Sequence, residues 1–243
     1  MFQSDTAYDS FMGRFSMRLA PVFADFAGVG RGQRVLDVGA GTGALTDELL
    51  RRGAAAAAAE PSAGFVATLQ RRFPGVEARE TRAEDLPWPD EAFDAALAQL
   101  VVSFMNDASA GVREMHRVVR PGGTVAVCMW DLERMEMLRA IDLTRDALGY
   151  AREPGRYRTH AEMAELMGEG AEIELLEVDG LYSDFEDFWT ALAGGAGPAG
   201  AWAASLDGDE REAVRAELYR QLGEPSGPFD LTGRAWAARV TRG

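Results

Sequence analysis

Residues Val35 to Thr46 read VLDVGAGTGALT, and the rest of the chain can be interpreted outward from them. The apolar run from Arg34 to Val38 predicts a buried strand. Glycines 39, 41 and 43 predict a tight turn, and Ala44 to Arg52 has helical periodicity that stops at Gly53. A strand, a glycine-rich turn and a helix in this order are typical of α/β domains that bind a ligand at the turn.

Each glycine of this turn has an interpretation of its own. Gly39 permits a sharp turn, Gly41 lets a ligand approach the backbone, and Gly43 lets the helix pack against strand and ligand. A loop that needs only sharp geometry explains the same residues. The turn alone therefore leaves ligand binding and plain structure open.

Glu60 ends the next strand, 21 residues after Gly39. A carboxylate at the tip of a second parallel strand can accept both ribose hydroxyls of an adenosine ligand. The alternative is a solvated carboxylate that caps the helix after Pro61. Its place at the carboxyl end of the strand favours the ribose interpretation.

The pattern of strand and helix repeats through Trp130. The six alanines Ala54 to Ala59 predict a buried strand, because Gly53 and Pro61 bound the run too closely for a separate helix. The further predictions are helices at 62–72 and 108–119, strands at 76–80, 93–98 and 124–130, and a turn at 121–123. This alternation predicts a doubly wound α/β domain with a largely parallel sheet.

The two ends of the chain are more helical. Ser10 to Phe26 predicts one or two amphipathic helices broken at Pro21. After Asp131 helices dominate, and the run GGAGPAG at 194–200 predicts a flexible segment. Strands at 172–178 and 234–240 predict a return to the main sheet with a helical insertion between them, and a separate C-terminal domain is the alternative.

Composition narrows the classes of function. The 243 residues contain 39 Asp and Glu against 25 Lys and Arg, a formal net charge of -14. This charge repels nucleic acids and anionic membranes. The single cysteine, Cys128, cannot form an internal disulfide, and no pattern of metal ligands appears. No apolar run approaches the ~20 residues of a membrane span, and no secretory signal pattern is present. We expect a soluble cytoplasmic protein with a small-molecule substrate.

Four pieces together resemble class I S-adenosylmethionine-dependent methyltransferases with small-molecule acceptors. They are VLDVGAGTGAL, the AEPS at 59–62, RAEDLPWPDEAFDAALAQL at 82–100 and REMHRVVRPGGTVAV at 113–127. The resemblance implies a Rossmann-like, seven-stranded sheet with helical lid elements at the N-terminus and between the last strands. It also implies a single domain over 1–243, with a helical cover at about 1–30, a cofactor-binding core at 31–131 and an acceptor and lid region at 132–243.

The resemblance also implies a role for each matching residue, with S-adenosylmethionine as cofactor and S-adenosylhomocysteine as product. The methionine end of the cofactor would be held by Asp37, Gly39, Ala40, Gly41 and Gly43. The remaining cofactor contacts would be Glu60 and Pro61 at the ribose, Ala83, Glu84 and Asp85 at the adenine, Gln99 at the sulfonium, and Tyr8, Met12 and Arg14 from an N-terminal cover.

Arg82 departs from the family pattern, because many relatives have an acid there that accepts a hydrogen bond from the adenine amino group. Arginine only donates, so Glu84, Asp85 or backbone groups must take over. Arg14 is predicted to pair with the cofactor carboxylate.

The pattern G-x-G-x-x-G/A is also met by Gly39, Gly41 and Ala44, so a nicotinamide-dependent oxidoreductase is the alternative enzyme.

No convincing catalytic base appears, and the catalytic residues remain unknown. Asp131 follows a strand and is equally well explained as a helix N-cap, whereas a surface or capping role is favoured for His160. Tyr8 is a weaker candidate. Phe104, Trp130 and Trp189 are candidates for an apolar acceptor pocket, although aromatic residues are more often plain core. A methyltransferase-like module that binds without catalysis is the third hypothesis.

Overall fold

A computed structural model describes residues 10–152, 159–195 and 197–243. The helices are α1 (Gly13–Phe26), α2 (Ala44–Arg51), α3 (Ala63–Arg72), α4 (Ala108–Val118), α5 (Glu136–Leu148), α6 (His160–Met167), α7 (Phe185–Ala193), α8 (Gly197–Ser205) and α9 (Gly208–Gln221). The strands are β1 (Arg34–Val38), β2 (Ala55–Glu60), β3 (Glu77–Glu80), β4 (Phe93–Gln99), β5 (Val119–Trp130), β6 (Glu172–Tyr182) and β7 (Phe229–Thr241).

The strands form one sheet in the order β3-β2-β1-β4-β5-β7-β6. The pairs from β3 to β5 are parallel, and β7 runs antiparallel to β5. The order reverses between β1 and β4, and ligands of such sheets bind at this reversal, outside the carboxyl ends of the strands. The predicted doubly wound, largely parallel fold is confirmed, and so is the return of two late strands to the sheet, with α7, α8 and α9 between them.

The alanine strand β2 shows why a sequence with high helix propensity forms a strand here. Ala57 and Ala59 pack into one apolar cluster, and Ala58 faces a different one. Both faces of the strand are therefore buried, and small side chains suit a strand covered on both sides. The prediction of a buried strand is confirmed, shifted by one residue.

The chain separates into two compact units. Among the described residues, the core unit comprises 16–130, 159–176 and 235–243, and the second unit comprises 10–15, 131–152, 177–195 and 197–234. This division assigns residues 10–15 to the same unit as helices α5, α7, α8 and α9, whereas α6 belongs to the core unit. The single domain over 1–243 stays a prediction.

Three local predictions are wrong. Helix α1 continues through Pro21, whose missing N–H affects only one bond, to the carbonyl of the exposed residue Met17. The run predicted to be flexible contains the start of α8, where Pro198 occupies the first turn and needs no intrahelical N–H bond. Strand β5 begins at Val119 and passes through the predicted turn, because Gly122 and Gly123 form backbone hydrogen bonds with Arg242.

Candidate functional site

The glycine turn lies between β1 and α2, at the reversal of strand order. At Gly41 the backbone is left-handed (φ +56°), and an added Cβ would meet no atom within 4 Å. At Gly43 an added Cβ would lie 2.5 Å from the Phe73 ring, so this glycine is required for packing. The two positions differ in kind: Gly43 has no room for a side chain, whereas Gly41 leaves open space at the turn.

Glu60 connects the tip of β2 to this turn. Its side chain is buried, with only 6% of the residue exposed. One carboxylate oxygen accepts the Gly41 N–H at 2.9 Å, and the other accepts the Ser62 N–H at 2.9 Å. Burial raises the pKa of Glu60, although these two N–H groups oppose the rise. Each oxygen keeps a second lone pair, so the carboxylate can also accept hydroxyl groups.

Asp37 lies near the carboxyl end of β1 and is 1% exposed. Its carboxylate accepts a hydrogen bond from the Thr46 hydroxyl at 2.6 Å. Burial raises the pKa of Asp37 to about 7, and the negative charge of Glu60 adds to the rise. Sequence reasoning missed Thr46, although it closes the motif that contains Asp37. The site therefore contains two buried carboxyl groups on adjacent strands.

The loop after β3 carries the residues predicted to contact adenine. Ala83 is buried, whereas Arg82 and Asp85 are exposed. One oxygen of the Glu84 carboxylate accepts the N–H groups of Asn106 at 2.7 Å and Asp107 at 3.1 Å. Glu84 is therefore partly engaged by the protein, which favours the exposed Asp85 as the acid available for an adenine amino group.

Gln99 lies at the end of β4, on the other side of the reversal from β2. Its side-chain amide donates to the Ser16 carbonyl at 3.0 Å. Its Oε1 is buried and has no hydrogen-bond partner among the described residues. A buried acceptor without a partner at the end of a central strand is consistent with a ligand-binding role.

The residues predicted to form an N-terminal cover lie in the second unit or outside the described residues. Tyr8 is among the residues that the structure does not describe. Met12 and Arg14 belong to the second unit. The Arg14 guanidinium donates to both carboxylate oxygens of Asp187 and to the Leu181 carbonyl, and it lies over the Tyr182 ring. Arg14 therefore has an ion-pair partner within the protein, and its pairing with a cofactor carboxylate stays a prediction.

The candidate bases have structural roles. One carboxylate oxygen of Asp131 accepts the N–H groups of Glu133 and Arg134, both at 3.1 Å, and so closes the turn before α5. The cap of α5 itself is Met135, so the N-cap interpretation of Asp131 is wrong in detail. His160 is exposed, and its ring meets Trp236 edge to face with centroids 5.5 Å apart.

The three predicted pocket residues have different environments. Phe104 is 54% exposed, whereas Trp130 in the core unit and Trp189 in the second unit are buried. The Trp189 ring lies under the Arg211 guanidinium, 5.2 Å from its centroid. An acceptor pocket made of these residues stays a prediction.

The described residues were also compared with the requirements for a membrane-spanning helix and for a metal-ion site. Within 10–152, 159–195 and 197–243, no helix is both long and apolar enough to cross a membrane. The same residues contain no group of three or more His, Cys, Asp or Glu side chains arranged to hold a metal ion.

Comparison with known proteins shows what the central part of the chain is similar to. Residues 36–127 match the family model described as a methyltransferase domain. The demethylmenaquinone methyltransferase of Mycolicibacterium paratuberculosis is 44% identical over 102 residues, which cover 42% of this chain and 43% of that relative. The chain thus matches less than half the length of this curated relative.

Solved structures show the same fold at low identity. A protein from Anaeromyxobacter dehalogenans, named for an inferred type II methyltransferase activity, is 22% identical with a TM-score of 0.67, over 91% of this chain and 95% of that one. The cyclase SpnF is 23% identical with a TM-score of 0.58, over 93% and 82%. Residues 36–127 are therefore similar to a methyltransferase domain, and the fold is the one that these solved structures share.

Proposed function

We propose that this protein, whose residues 36–127 match a methyltransferase domain, transfers a methyl group from S-adenosylmethionine to a small organic acceptor at oxygen, nitrogen or carbon. The observation that carries the proposal is the pairing of Glu60 with Gly41. It places a buried carboxylate and an open glycine turn together at the reversal of strand order.

The residues present fit the cofactor. The N–H groups of the turn and the carboxylate of Asp37 would hold its methionine end, and Glu60 would accept its ribose hydroxyls. Ala83 and Asp85 would lie at the adenine, and Gln99 would line the region of the sulfur. The open space at Gly41 supports this fit, because a ligand must approach the backbone there.

Bound S-adenosylmethionine would supply an electrophilic methyl group, so the protein chiefly has to bind, orient and exclude water. Alignment of reacting atoms can supply up to ~7–11 kcal/mol in favourable cases. Asp131 is committed to a turn and His160 is exposed, so neither has the geometry of a positioned base. We therefore propose transfer by proximity and alignment, to acceptors that need no strong base.

The acceptor class is inferred from relatives and composition. The name of the Mycolicibacterium relative indicates demethylmenaquinone as its acceptor, and that relative matches this chain only over the core. A hydrophobic or aromatic small molecule is proposed here, and the net charge of -14 would also tolerate a cationic amine. The SpnF cyclase shares the fold, which shows that the fold alone does not fix the chemistry.

Calorimetry separates the candidate functions. Titration with S-adenosylhomocysteine should show micromolar binding, and titration with NAD(H) should show none, whereas the opposite result would support the oxidoreductase. An assay with phenols, amines and quinone precursors, demethylmenaquinone included, then looks for methylated product. Tight binding of S-adenosylhomocysteine with no product from any acceptor or from cell extract would support the non-catalytic module.

A further inference from the structure

Glu84 has a position in the core unit that its predicted adenine contact does not explain. Its carboxylate oxygen accepts the N–H groups of Asn106 and Asp107, more than twenty residues further along the chain. A carboxylate that accepts two backbone N–H groups is a strong, charge-assisted clamp. Glu84 therefore fixes the C-terminal end of the segment that follows β4.

We define the post-β4 loop as residues 100–107. It starts at Leu100, which is buried and has φ +62°, a conformation that costs free energy for any residue except glycine. The Leu100 N–H donates to the Cys128 carbonyl at 2.9 Å, and the Phe104 N–H donates to the Val101 carbonyl at 2.8 Å. Strained backbone persists only where surrounding contacts enforce it. The loop thus needs an anchor at both ends.

The loop presses on the glycine turn. An added Cβ at Gly39 would collide with the Val101 side chain, so the loop lies against the backbone of the turn with no space between them. Gln99, with its buried, unpartnered Oε1, directly precedes the loop. Any shift of the loop would therefore move Val101 away from the turn and change the orientation of Gln99.

The segment that carries Glu84 is itself held by packing against α4. An added Cβ at Gly111 of α4 would lie 2.7 Å from the Met105 sulfur and 3.2 Å from the Ala83 Cβ. The loop after β3, the first turns of α4 and the post-β4 loop are therefore packed in direct contact.

We propose that Glu84 is a positioning residue: it clamps the post-β4 loop against the glycine turn and thereby sets Gln99 and Val101 for cofactor binding. The proposal rests on the proposed function. It assigns Glu84 an effect on the cofactor through the loop, without direct contact with adenine.

The test compares three variants of the full chain. Glu84→Ala removes the clamp, whereas Glu84→Gln keeps an oxygen that can accept both N–H groups. Asp107→Ala is the matched control, because the Asp107 side chain accepts the Ala110 N–H and so caps α4 without holding the loop. Each variant is measured by calorimetry with S-adenosylhomocysteine, by denaturant unfolding, and by amide hydrogen exchange without ligand.

We expect Glu84→Ala to weaken S-adenosylhomocysteine binding at least fivefold and to speed exchange at the Leu100 and Phe104 amides. Glu84→Gln should stay within about twofold of the unmodified protein in both measurements. Asp107→Ala should lower the unfolding midpoint while binding changes less than twofold. If Glu84→Ala unfolds, Glu84→Asp replaces it, because the shorter side chain cannot reach both N–H groups.

Two results would overturn the positioning role. One is weaker binding with unchanged exchange at Leu100 and Phe104, which would mean direct contact with the cofactor. The other is unchanged binding despite faster exchange, which would mean that the clamp serves stability alone. Failure of the unmodified protein to bind S-adenosylhomocysteine would instead overturn the proposed function, and the exchange data would still show whether Glu84 holds the loop.

Discussion

We expect replacement of Asp37 by asparagine to stabilise the folded protein at pH 8 but to weaken its binding of S-adenosylhomocysteine. The carboxyl group is almost fully buried and accepts hydrogen bonds from the hydroxyl and the backbone N–H of Thr46. Burial raises its pKa to about 7, and Glu60 adds to the rise. The folded protein therefore holds a proton on Asp37 over a pH range in which the unfolded chain has released it.

The direction of the pH dependence follows from this difference. The folded state binds more protons than the unfolded state between 3.8, the ordinary pKa of an aspartate, and about 7, so the stabilising contribution is full below 3.8 and is lost as the pH rises towards 7. The gap corresponds to about 4 kcal/mol at ~1.4 kcal/mol per pKa unit. This value is an upper limit for the cost of the ionised carboxylate at pH 8.

We expect Asp37→Asn to raise the free energy of unfolding at pH 8 by about 1–2 kcal/mol. The gain is smaller than the upper limit because an amide with an unmatched donor costs about 1–3 kcal/mol. Near pH 4 the advantage should vanish or reverse. The same variant should weaken S-adenosylhomocysteine binding, because a neutral amide cannot attract the ammonium group of the ligand.

Urea unfolding from pH 4 to 8 measures this effect, with Asp94→Asn as the matched control. The Arg34 N–H and the Arg120 side chain lower the pKa of Asp94, so the stability from Asp94 is present at neutral pH and is lost as the pH falls. Asp94→Asn should therefore destabilise at pH 7. An Asp37→Asn variant less stable than the unmodified protein at pH 8 would refute the reasoning.

Three further predictions concern the same site. Glu60→Gln should weaken S-adenosylhomocysteine binding tenfold or more, because a charged acceptor contributes ~1.5–3 kcal/mol, and unchanged affinity in calorimetry would remove Glu60 from the site. Gly41→Ala should cost only about 1–2 kcal/mol of stability but abolish binding, whereas Gly43→Ala should cost more stability through its clash with Phe73; denaturation and calorimetry that show the reverse order would mean a purely structural turn. Arg14→Ala should leave binding within twofold and cost less than about 1 kcal/mol, as expected for a partly exposed ion pair, and a tenfold loss of affinity would restore its predicted role.

Local patterns were sufficient to predict most of the fold. The predicted glycine turn and the predicted alternation of strands and helices agree with the structure, because neighbouring residues determine both. The errors occur where distant residues intervene. Arg242 pairs with Gly122 and Gly123 and extends β5 through a sequence that reads as a turn. No local pattern indicates a partner more than a hundred residues away.

The candidate site was also predictable only in part: local motifs indicated Glu60 and Gly41 but not the distant partners of other residues. Glu60 and Gly41 are brought together by strand order, which the motif spacing already implies. The family resemblance assigned Arg14 and Glu84 to the cofactor, yet each has a partner elsewhere in the protein. Asp187 lies 173 residues from Arg14, so its pairing could not be read from the N-terminal segment.

Two acids, the buried Glu60 and the half-buried Glu84, show why charge alone is a poor guide to ligand contact. Glu60 and Glu84 both accept two backbone N–H groups, so both already stabilise the protein without a ligand. They differ in what lies next to those N–H groups. One partner of Glu60 is Gly41, where the backbone faces open space, whereas both partners of Glu84 lie at the end of the post-β4 loop. A ligand at the glycine turn can therefore share the Glu60 carboxylate directly, while in our proposal Glu84 acts on the ligand through the loop it holds.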